Sequence, residues 1–236
     1  MNISIRDLQK QYGDKTALNI PSLEIQTGEL LGIVGNNGAG KTTLLRLILD
    51  LIKANKGYIQ LQNEQVNQST NWKKATGSFL DEGFLVGFLT PDEYLRFTAD
   101  TYNLASDEFL QRLEEYKRFM SDEITGTKKY IRQLSTGNKQ KTGIVAAMLP
   151  DPDLLILDEP FNFLDPSSQI IIKNLLKSKN QALNNTMLIS SHNINHLADI
   201  CTRVILLEKG EIIIDQVNGS PADMEKIDSY FSGRAV

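Results

Sequence analysis

The sequence predicts an α/β protein with a mainly parallel sheet covered by helices on both faces, an antiparallel β portion at the N-terminus and an α-helical subdomain inserted in the middle. Three observations predict it. Strand-sized apolar runs, Leu30–Val34, Leu154–Leu157 and Val204–Leu207, read as buried strands. In the second half such runs alternate with helical segments, the order of β–α–β units. A glycine-rich turn beginning at Gly35 joins the run Leu30–Val34 to a segment that reads as a helix.

Taken in chain order, the extended segments Ile3–Leu8, Leu18–Ile25 and Leu30–Val34 come first, and Thr43–Leu51 follows as a helix. Lys56–Leu61 and Gly77–Leu80 are further strands. Thr90-Pro91-Asp92-Glu93 is a capping box with proline at the first helical position, opening a helix to about Tyr102. Ser106–Arg118 is helical with apolar residues at Phe109, Leu110 and Leu113, and another helix runs from Ser135 to about Leu149. Leu154–Leu157, a helix opened by Asp165-Pro166, the strand Thr186–Ser190, a short helix and Val204–Leu207 complete the alternation. Gly210 marks a hairpin turn and Ser220-Pro221 opens a last helix. The expected organisation is one domain over 1–236: a core of about 1–83 and 149–219, a helical subdomain of about 84–148 and a C-terminal helix of about 220–233.

Composition narrows the function classes. A chain of 236 residues with 41% hydrophobic and 23% charged residues is ordinary for a globular protein with a sizeable core. No apolar stretch approaches the roughly 18–20 residues of a membrane span, and the N-terminus has no signal pattern. One cysteine, Cys201, excludes an internal disulfide framework and suits a reducing cytosol. The formal net charge of -4, with no long basic run, argues against a nucleic-acid partner.

Gly35-Asn36-Asn37-Gly38-Ala39-Gly40-Lys41-Thr42 fits G-x-x-x-x-G-K-[ST] in the strand–loop–helix context that the motif requires. Glycines let successive backbone N–H groups turn toward one anion, and the helix N-terminus adds partial positive charge. Lys41 is expected to reach the β- and γ-phosphates of ATP, the Thr42 hydroxyl to meet Mg²⁺, and Thr43 to add a phosphate contact. Later, Leu154–Leu157 leads into Asp158-Glu159 at the C-terminal edge of the sheet, where open α/β sheets bind ligands. Asp158 is a candidate Mg²⁺ ligand, and Glu159 a candidate base for the attacking water.

With what surrounds them, these residues resemble the ATP-binding cassette (ABC) family. Leu134-Ser135-Thr136-Gly137-Asn138 is similar to the signature L-S-G-G-Q and opens a helix, Leu164-Asp165 matches the D-loop, and Ser191-His192 matches the switch histidine. Tyr12 occupies the position of the aromatic that stacks on adenine, and the likeness runs over about residues 2–215 in unbroken order. The resemblance implies catalytic roles for Glu159, His192 and Lys41. It also implies that Ser135, Thr136, Gly137 and Asn138 form a signature acting in trans, with Ser135 and Gly137 contacting the γ-phosphate held by a second copy or a similar cassette. His196 matches nothing in the pattern and is expected at the surface.

Two departures stand out. Thr136 and Asn138 replace a glycine and a glutamine of the usual signature. The family's metal-side glutamine falls on Asp81, followed by Glu82; Asp81 ligates Mg²⁺, or Glu82 replaces it, or neither acts. The resemblance implies a cytoplasmic ATPase engine lying against the inner face of the membrane through separate membrane-spanning permease subunits. Phe79, Phe84, Leu85, Val86, Phe88 and Leu89 are the expected grip, with about half of them in the subdomain's own core. The run Leu134–Lys141 and the missing glutamine resemble bacterial exporters more than nutrient importers. The alternative is a soluble ABC ATPase of cofactor (iron–sulfur) assembly.

Overall fold

Apolar runs without alternation bury both faces, and the strands that carry them lie at the centre of the molecule. In a computed structural model, which describes residues 1–121 and 123–217, they form a six-stranded sheet in the order β10-β9-β3-β8-β7-β6. Its members are β3 (Leu30–Val34), β6 (Thr76–Phe79), β7 (Leu154–Leu157), β8 (Thr186–Ser191), β9 (Arg203–Glu208) and β10 (Glu211–Val217). All neighbours pair in parallel except the edge hairpin β9–β10. A second, antiparallel sheet, β2-β1-β4-β5, is built from β1 (Ile3–Tyr12), β2 (Lys15–Ile25), β4 (Lys56–Leu61) and the short β5 (Glu64–Gln65).

The period of two along each central strand sorts its side chains into two cores. Leu155, Leu157, Met187, Ile189, Val204 and Leu206 face one core, and Leu154, Ile156, Leu188, Ile205 and Leu207 face the other. The second core is closed by the antiparallel sheet and helix α1 (Lys41–Ile48). The first is closed by α2 (Pro91–Thr101), α3 (Ser106–Met120), α4 (Thr136–Met148) and α5 (Pro166–Leu183). The helical stretch between β6 and β7 therefore shares one continuous core with the sheet.

Local signals hold where the chemistry is local. Thr90 and Glu93 make both halves of the capping box, and Asp165 caps α5 by accepting from Ser168 N at 3.0 Å. β1 and β2 extend beyond their expected limits because they pair to the hairpin tip, Tyr12 opposite Lys15. The predicted helix Thr43–Leu51 ends three residues early, at Ile48. Packing sorts side chains that look alike in the sequence. Leu110 is 64% exposed, since the inward face of α3 runs through Phe109, Tyr116 and Met120. Phe79 is one of the gripping candidates that fall in the core, as expected for about half of them: it is buried at 3% and its ring lies on α4. There a Cβ on Gly143 would sit 2.1 Å from Phe79 Cε2, so only glycine admits this approach. The helix expected after Ser220 lies outside the described residues.

Candidate active site

β3 delivers the chain to Gly35, and the loop returns to open α1 at Lys41. Gly40 caps the helix with φ 111°, a left-handed conformation that L side chains rarely adopt. Lys41 is only 6% exposed; its Nζ donates to Gly35 O at 2.6 Å and lies 3.1 Å from Glu159 Oε1. The lysine is thereby drawn across the loop, to where anionic oxygens at the helix N-terminus would meet it.

Asp158 and Glu159 follow the last residue of β7. Asp158 N donates to Phe79 O at 3.0 Å, which extends the parallel pairing by one step and fixes where the carboxylate emerges. That carboxylate accepts from Thr42 Oγ1 at 2.5 Å and from the Ser190 hydroxyl. Burial raises its pKa, and the two hydroxyl bonds pull the other way. A hydroxyl and a carboxylate converge at the helix N-terminus, an oxygen donor set that fits Mg²⁺, which uses few protein ligands and leaves room for phosphates and water.

Glu159 takes a left-handed backbone, φ 48°, which is uncommon for a non-glycine residue. Three neighbours hold it there. Its N–H donates to Ser190 Oγ at 2.9 Å, its carbonyl accepts from Gln140 Nε2 at 3.1 Å, and Oε2 accepts from His192 N at 3.2 Å. His192 Nδ1 is 2.9 Å from the same Oε2, a hydrogen bond that requires the proton on Nδ1. Oε1 is buried and receives no hydrogen bond, its approach to Lys41 being off the bonding direction. One carboxylate oxygen is thus fixed by histidine while the other keeps free lone pairs, the arrangement of a positioned base.

A cleft of about 400 Å³ opens along the loop. Asn36, Asn37, Gly38, Ala39, Gly40, Lys41, Thr42 and Thr43 line it, with Tyr12 and Glu159. The Tyr12 ring is half exposed, and Lys10 Nζ lies 5.0 Å from its centroid, orienting the ring by a cation–π contact. Sequence reasoning missed four residues that shape this cleft: Lys15 and Lys209 in its lining, and the supports Ser190 and Gln140 behind Glu159. Lys15 was signalled by the hairpin beside Tyr12; the others come from distant segments and carried no signal.

Other expected residues lie elsewhere. Ser135 caps α4 by accepting from Asn138 N at 3.2 Å, and Asn138 Nδ2 donates to Glu123 Oε2 at 3.2 Å. Ser135 and Thr136 are exposed, and no residue of Ser135, Thr136, Gly137 or Asn138 lines the cleft of its own chain. The Asp165 carboxylate is held by the hydroxyls of Ser167 and Ser168, which keep its pKa well below the usual range. Asp81 accepts from Gly83 N at 2.8 Å and lies 3.6 Å from Arg46, while Glu82 pairs with Lys139 at 3.1 Å; neither lines the cleft. His196, expected at the surface, is half-buried: its Nδ1 is 3.3 Å from Ser191 Oγ, and its ring centroid is 5.0 Å from that of Phe161. Burial, then Lys173, lowers its pKa.

A glycine loop at a helix N-terminus, facing a strand that ends in Asp158-Glu159, defines a P-loop nucleotide-binding ATPase. Residues 18–162 match the sequence profile of the ABC transporter family. The chain is 34% identical over 213 residues to YdbJ, an uncharacterized ABC transporter ATP-binding protein of Bacillus subtilis, covering 89% of this chain and 67% of that one. It is 31% identical over 220 residues to the methionine import ATP-binding protein MetN 2 of Enterococcus faecalis, covering 89% of this chain and 64% of that one. The chain therefore spans about two thirds of the length of these two relatives. A dimeric bacterial ABC transporter cassette superposes with a TM-score of 0.81 at 25% identity, covering 92% of this chain and 99% of that one. The chain belongs to the ABC transporter ATP-binding family, and its chemistry is ATP binding and hydrolysis.

Proposed function

We propose that this chain is the ATPase engine of a transporter whose membrane-spanning part is a separate permease, and that it works as a pair of cassettes. The observation that carries the pairing is the position of the signature. Gln140 of α4 reaches the Glu159 backbone, whereas Ser135 and Thr136, at the start of the same helix, are exposed and outside the chain's own cleft. A two-fold axis brings each signature to the phosphates held by the other chain, and a second copy or a similar cassette meets that need. The dimeric cassette of the same fold supports this reading.

In the paired site the loop amides and Lys41 hold the β- and γ-phosphates, and Tyr12 stacks on adenine. Thr42 and Asp158 are the residues to hold Mg²⁺, which when bound offsets phosphate charge. Glu159 Oε1 takes the proton of the attacking water while His192 holds Oε2 in place. Asp165 rigidifies the turn beside the signature, where Phe163 O lies 2.7 Å from the ideal Cβ position of Gly137.

Phe84 and Phe88 are 51% and 68% exposed, and Phe84 borders an apolar groove with Leu49, Leu51, Trp72 and Leu80. Such a groove suits a short helix of the permease, which would hold the chain on the inner face of the membrane. Among the described residues no helix is long and apolar enough to cross a membrane. The export expectation rests on the Leu134–Lys141 run and Asp81; a relative named for methionine import stands against it. The test is co-sedimentation with membranes from cells that express the native permease. Wild type should sediment, and Phe84→Asp or Phe88→Asp should detach it while ATP binding survives. Wild type that stays in solution within a soluble complex would overturn the transporter reading in favour of cofactor assembly.

A further inference from the structure

The chain is acidic overall, with a formal net charge of -4, yet its nucleotide cleft is basic. Lys15, Lys41 and Lys209 line the cleft against a single acid, Glu159. Lys41 and Glu159 face each other at 3.1 Å, so the excess positive charge belongs to Lys15 and Lys209. Neither of these has a carboxylate partner among the described residues. Unpaired cations lining an anion site act on the ligand's charge.

Both are held in fixed places by the fold. Lys15 stands directly opposite Tyr12 at the tip of the β1–β2 hairpin, so the two side chains leave the same face. Lys209 occupies the β9–β10 turn with a left-handed backbone, φ 47°. The next residue, Gly210, is buried; its N–H donates to Ala39 O of the phosphate loop at 2.8 Å, and its carbonyl accepts from Asn19 N at 2.8 Å. A Cβ on Gly210 would lie 2.7 Å from Ala17 O, so the turn is pressed against β2 with no slack. The hairpin, the phosphate loop and the β9–β10 turn are therefore joined as one wall, and the two lysines line the same cleft as Tyr12 and Lys41.

We infer that Lys15 and Lys209 form a two-lysine clamp on the α-phosphate of the bound nucleotide, between the base stacked on Tyr12 and the terminal phosphates at Lys41. The inference rests on Tyr12 marking the base end, and it concerns one chain alone. It therefore stands or falls apart from the pairing and the permease.

The experiment is equilibrium competition against a fluorescent ATP analogue on the isolated chain, with adenosine, AMP and ADP as competitors. Lys15→Met and Lys209→Met should each weaken AMP and ADP about five-fold, and the double variant about twenty-five-fold, with adenosine unchanged. Lys→Arg at each position should restore affinity, and the losses should shrink in high salt. Unchanged AMP affinity in the double variant would overturn the clamp. So would an equal loss for adenosine, which would place the lysines on the base or ribose instead.

Discussion

Replacing Glu159 with glutamine keeps the side chain's shape and removes its charge, and the structure predicts two opposite effects. Oε1 has no hydrogen bond to lose and Oε2 accepts two from His192, which an amide oxygen can still accept, so the fold should survive. The base is lost, and turnover should fall about 10²-fold or more. Nucleotide binding should move the other way. Two unit charges 3.1 Å apart at an effective dielectric of about 20 attract by about 5 kcal/mol, and Lys41 must leave that partner to reach a phosphate. Most of this is recovered on the phosphate. Freeing the lysine beforehand should leave a net gain of about 1 kcal/mol, or about five-fold in Kd. Calorimetric titration with ATP and Mg²⁺ measures the affinity, phosphate release the turnover, and light scattering the expected ATP-held dimer. Hydrolysis within about three-fold of wild type would remove Glu159 as base. Weaker ATP binding by Glu159→Gln would refute the view that Glu159 competes with phosphate for Lys41.

Three further outcomes are expected. If Asp81 reaches the metal side it must leave Gly83 and Arg46, so Asp81→Ala should raise the Mg²⁺ needed for half-maximal hydrolysis and Asp81→Gln should partly restore it; unchanged Mg²⁺ dependence in both makes Asp81 a bystander. His196 has a folded pKa below its ordinary 6.5, so the unfolded chain binds more protons there and stability falls as pH drops below about 6.5. His196→Gln should flatten that part of the stability curve in urea titrations, and an unaltered slope would place the proton uptake elsewhere. Gly143→Ala drives a methyl against the Phe79 ring, 2.1 Å from Cε2, and should cost about 1–3 kcal/mol by chemical denaturation, with recovery in Gly143→Ala/Phe79→Leu.

The features legible in the sequence are those whose physics is contained in a few consecutive residues. The phosphate loop needs glycines, a lysine and a helix start within one turn of chain, and all of them arrive together. The caps at Thr90 and Asp165 close over three residues and form as expected. Buried strands announce themselves because a strand covered on both faces has no polar side to show. Tertiary structure decided whatever depends on which distant segments touch. Lys209 enters the cleft only because β9 pairs beside β3 and Gly210 docks on Ala39. Gln140 and Ser190 support Glu159 from α4 and β8, and His196 is half-buried because Phe161 and Ser191 close over it. Phe79 and Phe84 look alike as apolar residues of one loop region, yet one fills the space left by Gly143 and the other stays half exposed. Hydrophobicity is a property of a residue, whereas burial belongs to the partner that covers it, and long-range packing supplies that partner.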